Sequence, residues 1–378
     1  RQVVAEEGLG VPYWSSSPGN DLDEKANDST RGDKHYWQVW GNPALPVTAY
    51  LRETPRFMSE YGLQAWPVLR TLDGIIPAAE QRVDSPTVRA HQKFMAGEGN
   101  QRLLKYIEEG YGTPRDFPTF VYLSQVMQAE GIALAALHHR ASRPYTMGSL
   151  YWQFNDVWPG ASWSSIDYAG RWKALHFQAR RFFADQAVAA LRDDDGITRI
   201  SLLNDRRDAL VGQWRLRVMD LDGRVHTRQQ HAVTVPPGAA LEVARLDDAA
   251  LLGQADRHRT VAVVELLDGG GKPVSQGVVY FDVAKALALS RPQIHTDLQR
   301  AGDGYRLRLR SDRLARAVWI GFDGLDAVLQ DNALTLLPGE TVQVNLTADA
   351  DLATLRRALR VQSLADALVP PADASAAR

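Results

Sequence analysis

Cysteine is absent from all 378 residues. Its absence removes disulfides, thiolate nucleophiles and cysteine-ligated zinc. It suits a cytoplasmic protein and equally a disulfide-free periplasmic or secreted one, so the compartment stays open. A charge imbalance is missing too: 43 basic residues face 45 acidic ones, for a net charge of −2. No basic stripe dominates, which counts against nucleic acid as a partner. No apolar run reaches the roughly 18 residues needed to cross a bilayer, so no membrane partner is expected. The first residues, RQVVAEEGLGVPYW, lack the basic-then-apolar layout of a secretory signal. They also lack an initiator methionine and begin in mid-pattern, so a fragment is expected, with any targeting segment upstream of Arg1.

What is present is a globular composition, 45% hydrophobic and 23% charged, at a length that suits two or three domains. Eight of the ten tryptophans lie at or before Trp172, leaving only Trp214 and Trp319 beyond, so the chain changes character partway. In the first part, 32–40, 56–60 and 147–154 read as strands. NQRLLKYIEEG (100–110) reads as a helix capped by Asn100, with Leu103, Leu104 and Ile107 on one face and Gly110 ending it. Residues 118–140 keep a helical period behind Pro118, and WKALHFQARRFF (172–183) closes the part with another helix. Alternating strands and helices predict an α/β unit with parallel strands. Beyond about Ala187, short strands broken by Asp-Gly and Gly-Gly turns predict β-sandwiches, divided near Pro292. The expected domains are 1–187, 188–288 and 289–378.

RFMSEYGLQAWP (56–67) ends a strand on a carboxylate, Glu60, and parallel strand–helix units present working groups at the carboxyl ends of their strands. The next strand ends in Trp152-Gln153-Phe154-Asn155-Asp156, an aromatic platform beside amides and acids. A carboxylate facing a tryptophan is what a glycosidase uses: a nucleophile for the anomeric carbon and a flat wall for the ring. On spacing alone, a lone glutamate after a strand is more often a cap or a solvated turn, and a tryptophan-rich run is more often core.

RFMSEYGLQAWP together with MGSLYWQFNDVWPGASWSSIDYAGRWKALHF (147–177) resembles the β-mannosidase branch of glycoside hydrolase family 2. PYWSSSPGND (12–21) and GDKHYWQVW (32–40) are similar to that family's preceding barrel strands, and DNALTLLPGE (331–340) to its last sandwich. The resemblance implies the C-terminal half of a (β/α)8 TIM barrel followed by two Ig-like β-sandwiches. It implies a retaining exo-β-mannosidase with no cofactor and no metal, acting on terminal β-mannose of oligosaccharides. Carried over, it makes Glu60 the catalytic nucleophile and puts Trp152 in the mannose subsite. Asn155 and Asp156 would contact hydroxyls or order the loop, while Trp158 and Trp163 pack. Among His35, Tyr36, Trp37 and Trp40, one would orient Glu60 or the sugar.

A retaining glycosidase needs a second carboxylate as proton donor. In the resembled family that glutamate follows an asparagine, and no Asn-Glu pair occurs in this chain. Glu6 and Glu7 read as a helix end before a strand, Glu24 as loop and Glu53 as helix. The expectation is that the acid lies in a missing N-terminal half of the same polypeptide, and that this chain alone is inactive. The rivals are an endo-β-mannosidase or exo-glucosaminidase of the same family, and a non-catalytic carbohydrate-binding or assembly module. His138-His139 cannot chelate as a pair from one helix face. RDDDGITR (192–199) reads as a turn between barrel and sandwich and DGGGKP (268–273) as a hairpin loop. Asn27-Asp28-Ser29 and Asn345-Leu346-Thr347 fit a glycosylation sequon, which matters only in a eukaryotic secretory route.

Overall fold

The computed structural model describes residues 1–19 and 25–368; Glu24 and the final ten residues of the last expected domain lie outside that range. Near the start, β1 (Lys34–Tyr36) and β2 (Met58–Tyr61) pair in parallel. Lys34 faces Met58, His35 faces Glu60 and Tyr36 faces Tyr61, so β1 advances one residue while β2 advances two. Ser59 is therefore the extra residue of a bulge, the device that re-aims side chains at sheet rims. Segment 147–152 runs along the far side of β2. Its ties are Met58 N–H to Gly148 O (3.0 Å), Leu150 N–H to Met58 O (2.8 Å) and Trp152 N–H to Tyr61 O (2.7 Å).

The strands are shorter than the sequence suggests. The one expected over 32–40 stops at Tyr36, because the chain then turns and Gly41 N–H closes onto Trp37 O. The one expected over 147–154 keeps a single bridge, Ser149 with Met58, since from Gln153 its donors go to the returning loop at Trp163 O. The helix Gln2–Glu7 is followed by irregular chain, not by a strand.

Helices back these parallel segments, as in half of a (β/α)8 barrel. Asn100 is not a cap: it is buried inside helix Gly99–Gly110, where its Oδ1 accepts from Trp66 Nε1 (3.1 Å) and Gln92 Nε2 (3.2 Å). Helix Phe117–Ala141 starts where Asp116 accepts from Thr119 N–H at 2.7 Å, with Pro118 in the first turn. Nineteen of its 25 residues are buried, so its apolar positions surround it and leave no solvent face. By length and composition it would pass for a membrane span, yet protein covers most of it.

Two β-sandwiches follow. The first joins sheet β3 (Gln186–Arg192), β4 (Ile197–Asn204) and β7 (Ala240–Asp247) to the sheet of β5 (Leu210–Asp220), β6 (Val225–Val235), β8 (Thr260–Asp268) and β9 (Pro273–Tyr280). Ile200, Leu202, Leu216, Val264 and Phe281 fill its core. RDDDGITR is the β3–β4 hairpin inside this sandwich, not a link to the barrel, because β3 already begins at Gln186. DGGGKP joins β8 to β9. The second sandwich sets β10 (Ile294–Ala301), β11 (Gly304–Ser311), β13 (Val328–Leu329) and β15 (Thr341–Thr347) against β12 (Ala315–Phe322), β14 (Leu334–Leu336) and β16 (Leu359–Gln362). Trp214 is buried in the first core and stacks on His231, while Trp319 meets Phe177 edge-on where the second sandwich contacts the barrel part.

Arg316 ties all three parts together. Its guanidinium forks onto Glu130 of helix Phe117–Ala141 at 2.8 and 2.6 Å and lies 3.9 Å over the Tyr280 ring of β9. Tyr111 O–H donates to the same carboxylate. Removing one member of such a buried pair strands the other, so Arg316→Ala should cost roughly 3 kcal/mol. Limited proteolysis should then cut first between the second sandwich and the barrel part.

Acid sensitivity is built into the same helix. Burial pushes His138 down to about 4 and His139 down to about 3. Arg199 donates to His138 Nδ1, leaving its Nε2–H for Thr54 Oγ1; His139 Nδ1 meets Ser149 Oγ at 2.9 Å. Unfolded histidine takes up its proton near 6.5, so between there and about 4 the unfolded state binds protons that the folded state refuses. Stability should be full above pH 6.5 and fall as the pH drops, by on the order of 2 kcal/mol per histidine at pH 5. Melting temperatures against pH check this, and His139→Gln should flatten the decline.

Candidate active site

The β2 strand delivers Glu60 to an open rim. Met58 and Tyr61 are buried, whereas Ser59 and Glu60 are half-buried, the signature of the bulge. Trp37, just past the end of β1, donates its Nε1–H to Glu60 Oε1 at 2.8 Å. His35 Nδ1 stands 3.7 Å from the same oxygen, with side chains 19% and 24% exposed respectively. One carboxylate oxygen is thus held from the β1 side, and no hydrogen bond is made to Oε2 among the described residues. An open recess of about 350 Å³ beside this point is lined by Asn27, Lys34, His35, Tyr36, Trp37, Gln38 and Asn42.

Close packing fixes where the third segment passes. A Cβ at Gly62 would lie 2.4 Å from Trp152 O and 3.0 Å from Trp163 Cδ1, so only glycine lets the loop lie against the end of β2. Trp152 is exposed. Asn155 is also exposed; its amide donates only to the neighbouring Asp156 O, at 3.4 Å. Asp156 Oδ2 accepts from Ser162 Oγ (2.7 Å) and Ser164 Oγ (2.5 Å), which commits it to holding the loop. Trp163 packs edge-on against Trp37 and Trp40, while Trp158 stacks on His91 at the surface.

Two expected ligand residues are largely buried, although Tyr36 still borders the recess. Tyr36 and Trp40 are 4% and 1% exposed. Tyr36 packs edge-on against Tyr50, and Trp40 is sandwiched among Phe94, Tyr106 and Trp163. They are core because the chain turns inward after β1. Trp37, by contrast, is the member of that quartet whose polar edge reaches Glu60.

Three residues beneath the rim were not anticipated. Asp33 accepts from Ser17 Oγ, Ser59 Oγ, Gly19 N–H and Trp14 Nε1. Ser17 Oγ is also 2.9 Å from His35 Nε2. These contacts join positions 14–19 to β1 and β2 across loop-length gaps, so no local spacing advertises them. Lys173 is the third case: fully buried, it donates from Nζ to Ala65 O and Ser162 O, pinning the loop to the chain after β2. Glu6, Glu7 and Glu53 make no contact with Glu60, and Glu53 pairs with Lys34 at 2.6 Å. No group of three or more metal-ligating side chains occurs among the described residues.

Two substitutions test this geometry. Gly62→Ala should cost on the order of 1–3 kcal/mol by pushing the Trp152 loop away, read as a shift in tryptophan emission. Burial pushes Lys173 down to about 8 from 10.5, against the pull of Asp156 and Asp167. Between pH 8 and 10.5 the unfolded chain keeps a proton that the folded one releases, so this group makes stability rise with pH. Comparing chemical-denaturation curves at pH 7.5 and 9.5, Lys173→Met should remove that rise.

Comparisons with known proteins extend the picture. A family model for a mannosidase Ig/CBM-like domain matches residues 196–286, and one for an Ig-fold domain of mannosidases matches 289–367. The β-mannosidase of Bos taurus is 27% identical over 97% of this chain and 44% of that protein. The β-mannosidase of Capra hircus is 34% identical over 52% of this chain and 24% of that protein. The crystal structure of β-D-mannosidase from Dictyoglomus thermophilum matches 96% of this chain and 43% of that one, at 27% identity and a TM-score of 0.86. An exo-chitosanase of Amycolatopsis orientalis shares the fold at 17% identity and a TM-score of 0.67. The chain spans less than half the length of these relatives.

Proposed function

We propose that this chain belongs with the β-mannosidases of glycoside hydrolase family 2 that it resembles, and that it carries the nucleophilic half of a retaining exo-β-mannosidase site. Glu60 attacks the anomeric carbon of a terminal β-mannoside. The bond to the leaving oxygen breaks as an ester forms to Glu60, and water then releases the sugar with retained configuration. The observation that carries this reading is the hydrogen bond from Trp37 to Glu60 Oε1 at the end of β2, which leaves Oε2 open on an exposed rim. Trp152 supplies the face for the apolar side of the ring. Asn155 meets hydroxyls, while Asp156 orders the loop through its two serines.

The proton for the leaving oxygen comes from residues outside this chain. None of the glutamates near the rim pairs with Glu60, and no Asn-Glu pair occurs in the sequence. The sandwiches serve as scaffold. After Phe183 every strongly exposed large hydrophobic among the described residues is a valine, whereas sugar-binding faces use aromatics.

The test uses aryl glycosides and a trapping reagent. A 2-fluoro mannosyl fluoride should label Glu60 in the full-length protein, located by peptide mass spectrometry. The 378-residue chain alone should release aryl β-mannoside at no more than the rate of its Glu60→Gln variant. Clear turnover by the chain that Glu60→Gln abolishes overturns the split site. Preference for aryl glucosaminide by the full-length protein overturns the mannoside assignment.

A further inference from the structure

We propose that Asp33 is a positioning residue that, through Ser17, fixes the hydrogen of His35 on Nε2 and so withholds an N–H from Glu60. This deepens the reading of Glu60 as nucleophile and rests on it, although the His35 assignment can be measured independently.

Hydrogen-bond bookkeeping carries the inference. Burial works to raise Asp33, but hydrogen bonds from Ser17, Ser59, Gly19 and Trp14 outweigh it and hold the group below its ordinary value. It is therefore a carboxylate, which only accepts. Oδ2 takes the Ser17 and Ser59 hydroxyls at 2.6 and 2.5 Å; Oδ1 takes Gly19 N–H at 2.7 Å and Trp14 Nε1–H at 3.3 Å. Ser17 has one hydrogen, and it is spent on Asp33. Toward His35 Nε2, 2.9 Å away, Ser17 can only accept, so Nε2 bears the hydrogen. In its neutral form, the ring then turns an Nδ1 lone pair toward Glu60 Oε1.

The 3.7 Å separation fits that assignment, because an N–H donor would close to about 2.8 Å. Among the described residues, the groups facing His35 are few. Asn27 Oδ1 takes its backbone N–H, Ser17 and Glu60 flank the ring, and Lys34 is turned away to Glu53 and Ser29. The consequence is chemical. A carboxylate with two strong donors on one oxygen is a weaker nucleophile than one with only the Trp37 N–H, so the relay keeps Glu60 reactive while holding its rotamer.

Asp33→Asn reverses the relay. Gly19 N–H and the Trp14 indole are fixed donors, so the new amide NH2 must face the two serines, whose hydroxyls can rotate. Ser17 then donates to His35 Nε2, and the ring hydrogen moves to Nδ1. In 15N-histidine-labelled chain at pH 8.5, His35 should show the Nε2–H pattern in wild type and the Nδ1–H pattern in Asp33→Asn. His35→Gln assigns the signal, and Ser17→Ala should give a mixture of both forms. An Nδ1–H ring in wild type, or an unchanged ring in folded Asp33→Asn and Ser17→Ala, overturns the proposal.

In the full-length protein, trapping by the 2-fluoro mannosyl fluoride should slow at least tenfold in Asp33→Asn with its half-saturating concentration unchanged. Equal trapping rates also overturn it. A wild-type label on another residue ends the nucleophile reading instead and leaves the tautomer measurement standing.

Discussion

The register that puts His35 opposite Glu60 governs everything at the rim. It depends on one extra residue, Ser59, whose hydroxyl bonds to Asp33 and to Lys34 O instead of letting the ladder continue evenly. Without that bulge, the alternation of a regular strand would set Glu60 against a different partner on β1. Because parallel neighbours point to the same face, the bulge also decides that Glu60 meets Trp37 and His35 together. Gly62, two residues on, then lets the Trp152 loop cross the strand end at backbone contact distance. Three consecutive decisions, bulge, carboxylate and glycine, turn an ordinary strand end into a site.

The larger architecture serves that strand end at a distance. Helix Phe117–Ala141 sends Gln128 Nε2 to Leu63 O and Gln125 Nε2 to Trp66 O, holding the chain that leaves β2. The far side of the helix meets both sandwiches, through His138 to Arg199 and Glu130 to Arg316. A second clamp, Arg171 on Asp326 at 2.8 Å through both nitrogens, joins the end of the site loop to the last sandwich. The sandwiches are thus braces whose contact faces are salt-linked, and their own aromatic residues face inward.

Much of this was legible in the sequence. Asp-Gly turns marked the sandwich hairpins, and the strand carrying Glu60 was visible from its apolar run, although it begins at Met58 and continues through Tyr61. Strand lengths were not, because what stops β1 at Tyr36 is a turn stabilised by burying Trp40, a tertiary effect that alternation does not encode. Asn100 looked like a cap because caps favour asparagine, but the barrel needed its amide to satisfy the Trp66 indole. Tyr36 and Trp40 looked available because aromatic pattern carries no burial sign. Asp33, Ser17 and Lys173 left no trace, since each acts through a partner 14 or more residues away or through backbone oxygens. The residue at the rim that pattern alone could nominate was the one at a strand terminus.

The all-round burial of helix Phe117–Ala141 has a bearing on how the polypeptide is made. Its covers in β3, β4 and β12 are encoded after it, the last ending at Phe322, some 180 residues past the helix. At roughly 5–20 residues per second, synthesis leaves the sandwich-facing side of this greasy cylinder uncovered for about 10–40 seconds. Until then, a stretch long and apolar enough to span a bilayer depends on later chain for part of its cover.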